Sequence, residues 1–384
     1  LGDMVWDRYW VDNNYSFPEY IEEMKPLTGL PFFQTPGNHD HDLWESGDFA
    51  TMAKYKQNIG PSYYSYNLGK VHGVVLDDID CANPGTGKNA TYTNNLVQEQ
   101  LDWLKKDLSH VSKDTPIIVS MHAQMFANPG TGKTPNYAMM ASSASQLEDI
   151  LDDFTTVHIF TGHTHQMYTI DNTLTKNSIY EHNAGAVCAC WWVTGVYNIE
   201  ANIASDGVPG GYTVLKVNGN DIKWQYKGTK FNINRQFYSY DRNQINLSRE
   251  KLLPSLNEAD SKEWDARTKT WSGESTANEV YLNVWNYDYN WKVEVFENGT
   301  PLTVTKVADY DPLHMLAYTY ERYRRGEDAG HLTHVTWHMF KATASSPTST
   351  LEIKVTDCFG NVYTESMKRP KAFKTLDYGW NKMQ

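Results

Sequence analysis

The sequence predicts a layered α/β fold followed by an all-β, sandwich-like domain. Two patterns carry this. Between residues 31 and 165, short apolar or β-branched runs alternate with stretches whose apolar residues recur at helical spacing, and strands alternating with helices mark an α/β layer. From about Phe231 onward the segments are short, alternating and aromatic, which reads as a β-sandwich. The 384 residues suffice for both. We place the α/β domain at 1–230 and the β-rich domain at 231–384.

The elements follow in order. Residues 31–34 predict a short strand that ends in Thr35-Pro36-Gly37-Asn38-His39-Asp40. A second strand is predicted over 71–76. Residues 96–111 predict an amphipathic helix, with Leu96, Leu101, Leu104, Leu108 and Val111 near helical spacing. Residues 116–121 form a third strand that runs into His122. Residues 145–154 form a short helix with Leu147, Ile150, Leu151 and Phe154 on one face. Residues 157–160 form a fourth strand, followed by Gly162-His163-Thr164-His165. Residues 211–217 and 221–226 flank Asn218-Gly219-Asn220, a hairpin signal. The clearest strands of the second domain are 280–285, 291–296, 335–340 and 351–355.

Composition narrows the function. Lys and Arg total 34 against 46 Asp and Glu, a net charge of −12, which argues against a phosphate-backbone binder. Hydrophobic residues at 40% and aromatics at 13% exclude a mostly disordered chain. No apolar run approaches the roughly 20 residues of a membrane-spanning helix. Cys81, Cys188, Cys190 and Cys358 match neither a zinc knuckle nor a disulfide framework. Cys188 and Cys190 read as two small residues on one face of a strand.

The polar residues at the strand ends carry the chemistry. Asp3 follows Gly2, Asn38 and His39 follow the first strand, His122 the third, and His163 and His165 the fourth. The ends of successive strands in an α/β sheet converge on one crevice. A carboxylate, an amide oxygen and imidazoles together suit divalent Zn, Mn or Fe. Other signals read as secondary. Residues 82–88 and 127–133 both spell Ala-Asn-Pro-Gly-Thr-Gly-Lys. The second fits a loose P-loop pattern, but residues 122–126 separate it from its strand and Pro135 follows it. Both read as rim loops, with Lys88 and Lys133 as candidate holders of an anionic substrate, against the alternative of flexible turns with solvated lysines. His331, His334 and His338 lack a nearby carboxylate or cysteine at convincing spacing and read as structural. The aromatic residues from Trp285 to Trp291 read as core.

This constellation resembles the calcineurin-like metallophosphoesterase family. The matching residues are Gly2-Asp3 with Asp7, Gly37-Asn38-His39-Asp40, His122, Gly162-His163-Thr164-His165, and the intervening helix with Gln100-Leu101-Asp102-Trp103-Leu104. The resemblance spans residues 1 to about 230. It implies a four-layered α/β/β/α sandwich, two divalent metal ions (Mn, Fe or Zn) and hydrolysis of a small phosphate ester by a metal-bound hydroxide. By the same resemblance Asp3 bridges the metals, Asn38, His122 and His163 complete one site, and His165 binds the neighbour. His39 is then the catalytic histidine facing the leaving group, with Asp40 supporting it. Asp7 and Arg8 resemble residues that orient the site, a local salt bridge being an equal reading.

One departure matters. The family begins with an Asp-x-His pair on an earlier strand, and no Asp-x-His occurs in these 384 residues. The expectation is a chain that lacks the family's N-terminal strands and is weakly active or inactive by itself. The β-rich tail resembles exported bacterial members, which implies the periplasm or cell surface. The competing expectation is a non-catalytic surface or carbohydrate-binding module with a relic metal site.

Overall fold

The computed structural model of the chain describes all residues except 28, 89, 129, 131–142, 172–178, 192–193, 195–200, 328–329 and 380–384. The β-branched run of residues 71–75 builds an early strand of a six-stranded sheet. In chain order the first strands are β1 (Tyr64–Leu68), β2 (Val71–Val75), β3 (Ile79–Cys81), β4 (Tyr92–Asn94), β5 (Ile117–Ser120), β6 (Val157–Thr161), β7 (Tyr168–Ile170) and β8 (Ile179–Asn183). The sheet order is β1-β2-β5-β6-β8-β7, while β3 and β4 pair separately. Strands β2, β5, β6 and β8 run parallel, and the edge strands β1 and β7 run antiparallel to their neighbours. Every residue of β2 and β6 is buried, as parallel strands covered on both faces require.

Two helices cover one face. The helix Gln98–Leu108 presents Leu101, Leu104 and Leu108, and the helix Ala144–Leu151 presents Leu147 and Leu151. All five pack in one core with Val74, Val119 and Ile159, and each buried leucine contributes about 2 kcal/mol. The opposite face carries His158, Phe160, Tyr180 and His182 in a stack, with the His158 and His182 rings 5.2 Å apart and nearly parallel. The hairpin of β9 (Gly211–Asn218) and β10 (Asp221–Gly228) closes over that stack. Its Trp224 ring lies 4.7 Å from His182. A helix layer, the six-stranded sheet and the two-stranded hairpin thus lie one on another, three of the four layers in the implied α/β/β/α order.

The remaining strands are β11 (Phe237–Asp241), β12 (Glu279–Val284), β13 (Lys292–Glu297), β14 (Thr300–Pro301), β15 (Thr305–Tyr310), β16 (Val335–Thr343), β17 (Leu351–Thr356) and β18 (Val362–Met367). They form two antiparallel sheets, β11-β12-β16-β15 and β14-β13-β17-β18. Phe237, Val280, Leu282 and Val284 of one sheet share a core with Val295, Leu351, Ile353 and Val355 of the other, which makes a sandwich. The outer face of the first sheet is also buried. Tyr238, Tyr240, Tyr281 and Met339 pack with Trp264 and Trp271, and with Met167, Ala201, Ile203, Val208 and Tyr226. That core runs continuously across residue 230. No helix among the described residues is long and apolar enough to cross a membrane.

Two sequence expectations are corrected. Residues 31–34 are not a strand. The Gln34 carbonyl accepts hydrogen bonds from the hydroxyls of Tyr55 and Tyr64, and Phe33 stacks on Tyr66 with centroids 3.6 Å apart, so side chains take the place of a neighbouring strand. Cys188 and Cys190 lie in a turn, where Ala189 takes a left-handed φ of 54° that no strand contains. His331 and His334 precede β16 and line a cleft described below. The P-loop-like segment falls largely in 131–142 and lies outside the described residues.

Candidate metal centre

Because β2, β5 and β6 are parallel, their C-terminal ends lie at one edge of the sheet, and each releases a functional loop there. Asp78, beyond β2, is fully buried and accepts the backbone N–H groups of His122 and Ala123 at 3.0 and 2.6 Å, which fixes the loop after β5. The loop after β6 is pinned by Gln124, whose amide donates to the Gly162 carbonyl and the Thr164 hydroxyl, and by Asn183, which donates to Thr164 and to the Gln166 carbonyl. The Asn38–Asp40 turn is held by Asp40. Its carboxylate accepts N–H groups from Gly37, Asp3, Met4 and Val5. Gly2 and Gly37 permit this close approach. A Cβ on Gly37 would stand 2.5 Å from the Asp3 carboxylate, and one on Gly2 would stand 2.4 Å from His122 Nδ1.

Four side chains converge on one point. His122 Nε2 has Asn38 Oδ1 at 3.0 Å, His163 Nδ1 at 3.0 Å and Asp3 Oδ2 at 3.3 Å. Asp3 Oδ1 accepts the His39 backbone N–H at 2.9 Å. His122 Nδ1 lies 2.7 Å from the Leu1 carbonyl and must carry a proton to bond it, so in the neutral ring Nε2 is a lone pair. That lone pair would face a carboxylate oxygen, an amide oxygen and a second imidazole, an arrangement that positive charge at this point stabilises. The electrostatics agree. Burial lowers the basicity of His122, but Asp3, Asp78 and the Leu1 carbonyl outweigh it and push its pKa up to about 9. Burial would raise Asp3, yet His122 and His39 hold it below the usual carboxylate range. His163 is lowered to about 4 by burial and by the charge of His122. The point calls for a proton or a metal ion, and the two compete for the same atoms.

Donor chemistry therefore fits a divalent ion held by Asp3, Asn38, His122 and His163. Two ligands at right angles, each about 2.1 Å from one ion, are roughly 3 Å apart, the scale of the distances here. Among the described residues no three His, Cys, Asp or Glu side chains form a ready-made cage. His165 stands beside this group. Its Nδ1 donates to the Ala189 carbonyl at 2.7 Å, the hydrogen bond that orients a ligating histidine and leaves Nε2 as the donor to a metal. Burial lowers its pKa, which keeps that nitrogen unprotonated.

His39 is oriented differently. Its Nδ1 meets the buried Asp7 carboxylate at 2.8 Å. Burial opposes its charged form, but the hydrogen bond to Asp7 and the charge of Asp3 raise its pKa overall. Asp40 does not touch the His39 ring; its four backbone contacts shape the loop. Arg8 pairs with Asp12 at 3.2 Å, the local salt bridge of the alternative reading.

These groups line a cleft of about 410 Å³, together with Trp6, Tyr92, Cys190, Trp191, His331 and His334. Trp191 is its hub, with ring centroids 5.3 Å from His39, 5.3 Å from His165, 5.4 Å from Trp6 and 5.5 Å from His331. Sequence reading missed Trp191, His331 and His334 as site residues, since neither apolar periodicity nor strand ends mark them. Lys88 is exposed and does not border the cleft, and Lys133 lies outside the described residues.

Comparison with known proteins bears on this site. Over 153 residues the chain is 28% identical to purple acid phosphatase 15 of Arabidopsis thaliana, a match covering 37% of this chain and 26% of that protein. The chain thus spans about a quarter of the relative's length. Residues 1–167 match the family model for calcineurin-like phosphoesterase, and residues 181–363 match the model for the C-terminal part of calcineurin-like phosphoesterase. With its strand-end histidines in the first stretch and the β-sandwich in the second, the chain belongs to the calcineurin-like phosphoesterases.

Proposed function

We propose that the chain is a metal-dependent phosphate-ester hydrolase that works at a two-metal site. The observation that carries the reading is the convergence of Asp3, Asn38 and His163 on His122 Nε2, with the far nitrogens of His122 and His165 tied to carbonyls. Divalent ions bound there would neutralise phosphoryl oxygens and supply an activated water at neutral pH. Asn38, His122 and His163 would hold one ion and His165 would serve the other, with Asp3 available to both. Asp40 keeps the Asp3 loop in place through four backbone N–H groups. His39, with its raised pKa and its ring held by Asp7, is the residue suited to give a proton or a hydrogen bond to the departing oxygen. Trp6 and Trp191 line the cleft beside it.

The test is elemental analysis of the purified chain with p-nitrophenyl phosphate turnover after loading with Mn, Fe or Zn. Turnover should follow metal content and vanish with chelation, and His122→Ala should lose both together. Turnover that survives chelation and the His122→Ala change would reject the reading.

A further inference from the structure

We propose that the cleft contains a leaving-group subsite for a flat, uncharged ring, walled by Trp6, Tyr92 and Trp191 and completed by His331 and His334 from the segment before β16. The inference rests on the phosphoesterase reading and names its substrate class: phosphate esters whose leaving group carries an aromatic or heteroaromatic ring.

Geometry comes first. A phosphoryl group on the floor made by Asp3, Asn38 and His163 leaves its ester substituent to extend outward. Along that direction the cleft offers ring after ring. The His165 ring stacks on Trp191 at an angle of 24°, and Trp191 in turn contacts Trp6 and His331. Tyr92 stands on the His163 side, with centroids 6.3 Å apart. His331 and His334 are exposed and line the cleft. A volume near 410 Å³ exceeds what a phosphate alone needs and lies in the range of small-molecule pockets.

Charge comes second. Among the described lining residues Arg8 is the one Lys or Arg, and Asp12 already pairs with it, while Asp3 and Asp7 add negative charge. A second phosphate or a carboxylate on the leaving group would find little to neutralise it. A neutral ring needs no such partner and gains from aromatic contact.

Backbone strain comes third. Among the described residues eleven that are not glycine adopt positive φ, and six of them are Asp3, His163, His165, Ala189, Trp191 and His331. Four of the other five are asparagines, the residue that tolerates this conformation in ordinary turns. Trp191, bulky and without a short polar side chain, has no such excuse. Strain of this kind persists where the surrounding structure holds a side chain in place for a task.

The experiment compares phenylphosphonate with methylphosphonate, two non-hydrolysable probes, by calorimetry on the manganese-loaded chain. The wild type should bind the phenyl compound about tenfold more tightly. The His331→Ala/His334→Ala double variant should shrink that preference to about threefold or less, with methylphosphonate affinity within about twofold of wild type. The His331→Phe variant keeps a flat ring and should keep the preference, which separates ring loss from misfolding. Equal affinities in the wild type, or a preference unchanged in the double variant, overturn the subsite and leave the phosphoesterase reading standing. Failure of both phosphonates to bind the metal-loaded wild type overturns that reading and the subsite with it.

Discussion

Asp40→Asn is the sharpest probe of how the fold holds its site. Asp40 is fully buried, and each of its oxygens takes two backbone N–H groups. Oδ2 accepts from Asp3 and Gly37 at 2.8 Å each, and Oδ1 from Met4 at 3.0 Å and Val5 at 3.2 Å. Asparagine has the same shape but one oxygen, so two of the four N–H groups would face an NH₂. A hydrogen bond to a charged acceptor contributes about 1.5–3 kcal/mol, which puts two lost bonds at roughly 3–6 kcal/mol. Relief from burying a carboxylate offsets part of this. We expect a net destabilisation of about 3 kcal/mol, roughly a hundredfold in the folding equilibrium. Because the Asp3 N–H is among the four, the Asp3 carboxylate should shift and metal content should fall. Urea unfolding followed by tryptophan fluorescence reads the first effect, and elemental analysis reads the second. A loss below about 1 kcal/mol with wild-type metal content would refute the claim that Asp40 builds the loop.

Other changes separate the remaining roles. Asp7→Ala should leave metal content intact and lower kcat for p-nitrophenyl phosphate about 10- to 100-fold, since one charge-assisted bond to His39 is lost; a parallel loss of metal would show that Asp7 supports ligands instead. Arg369→Met should cost about 3–5 kcal/mol in urea unfolding, because Arg369 and Asp241 form a fully buried pair at 3.1 Å and the carboxylate would stay inside with two backbone N–H groups but without its cation; a cost below about 1 kcal/mol would contradict that. Glu365 sets a pH dependence. Burial would raise its pKa, but Lys371 and Arg235 outweigh burial and hold it below the ordinary glutamate value of 4.5. Its contribution is therefore fully present above about pH 4.5 and is lost as pH falls through the lower folded value. Unfolding measured from pH 7 down to pH 3 should show this acid loss, and Glu365→Gln should flatten it; an identical profile in the variant would exclude Glu365 as the cause.

The sequence makes the neighbourhood of Asp3, Asn38, His122 and His163 legible because each follows a strand or a glycine, and parallel strands bring their ends together. It does not reveal what orients them. The bond from His165 to Ala189 depends on a turn at 187–191, which alternation of small apolar residues disguises as a strand. Residues 31–34 mislead for a related reason. Two adjacent phenylalanines look like buried β material, yet Phe32 and Phe33 are exposed and the nearby carbonyl is satisfied by tyrosine hydroxyls. His331 and His334 were hidden by distance, because more than 160 residues separate them from His165 and only tertiary packing through Trp191 connects the two.

The apolar core shared across residue 230 bears on how the chain is made. During synthesis from the N-terminus, Met167, Ala201, Ile203, Val208 and Tyr226 emerge well before Trp264, Trp271, Trp285 and Tyr378, the residues that bury them. The nascent chain therefore carries an open sticky surface until its last strands have left the ribosome. Chaperone demand should peak late in translation, and a stall within the sandwich would leave the histidine-bearing half without its cover.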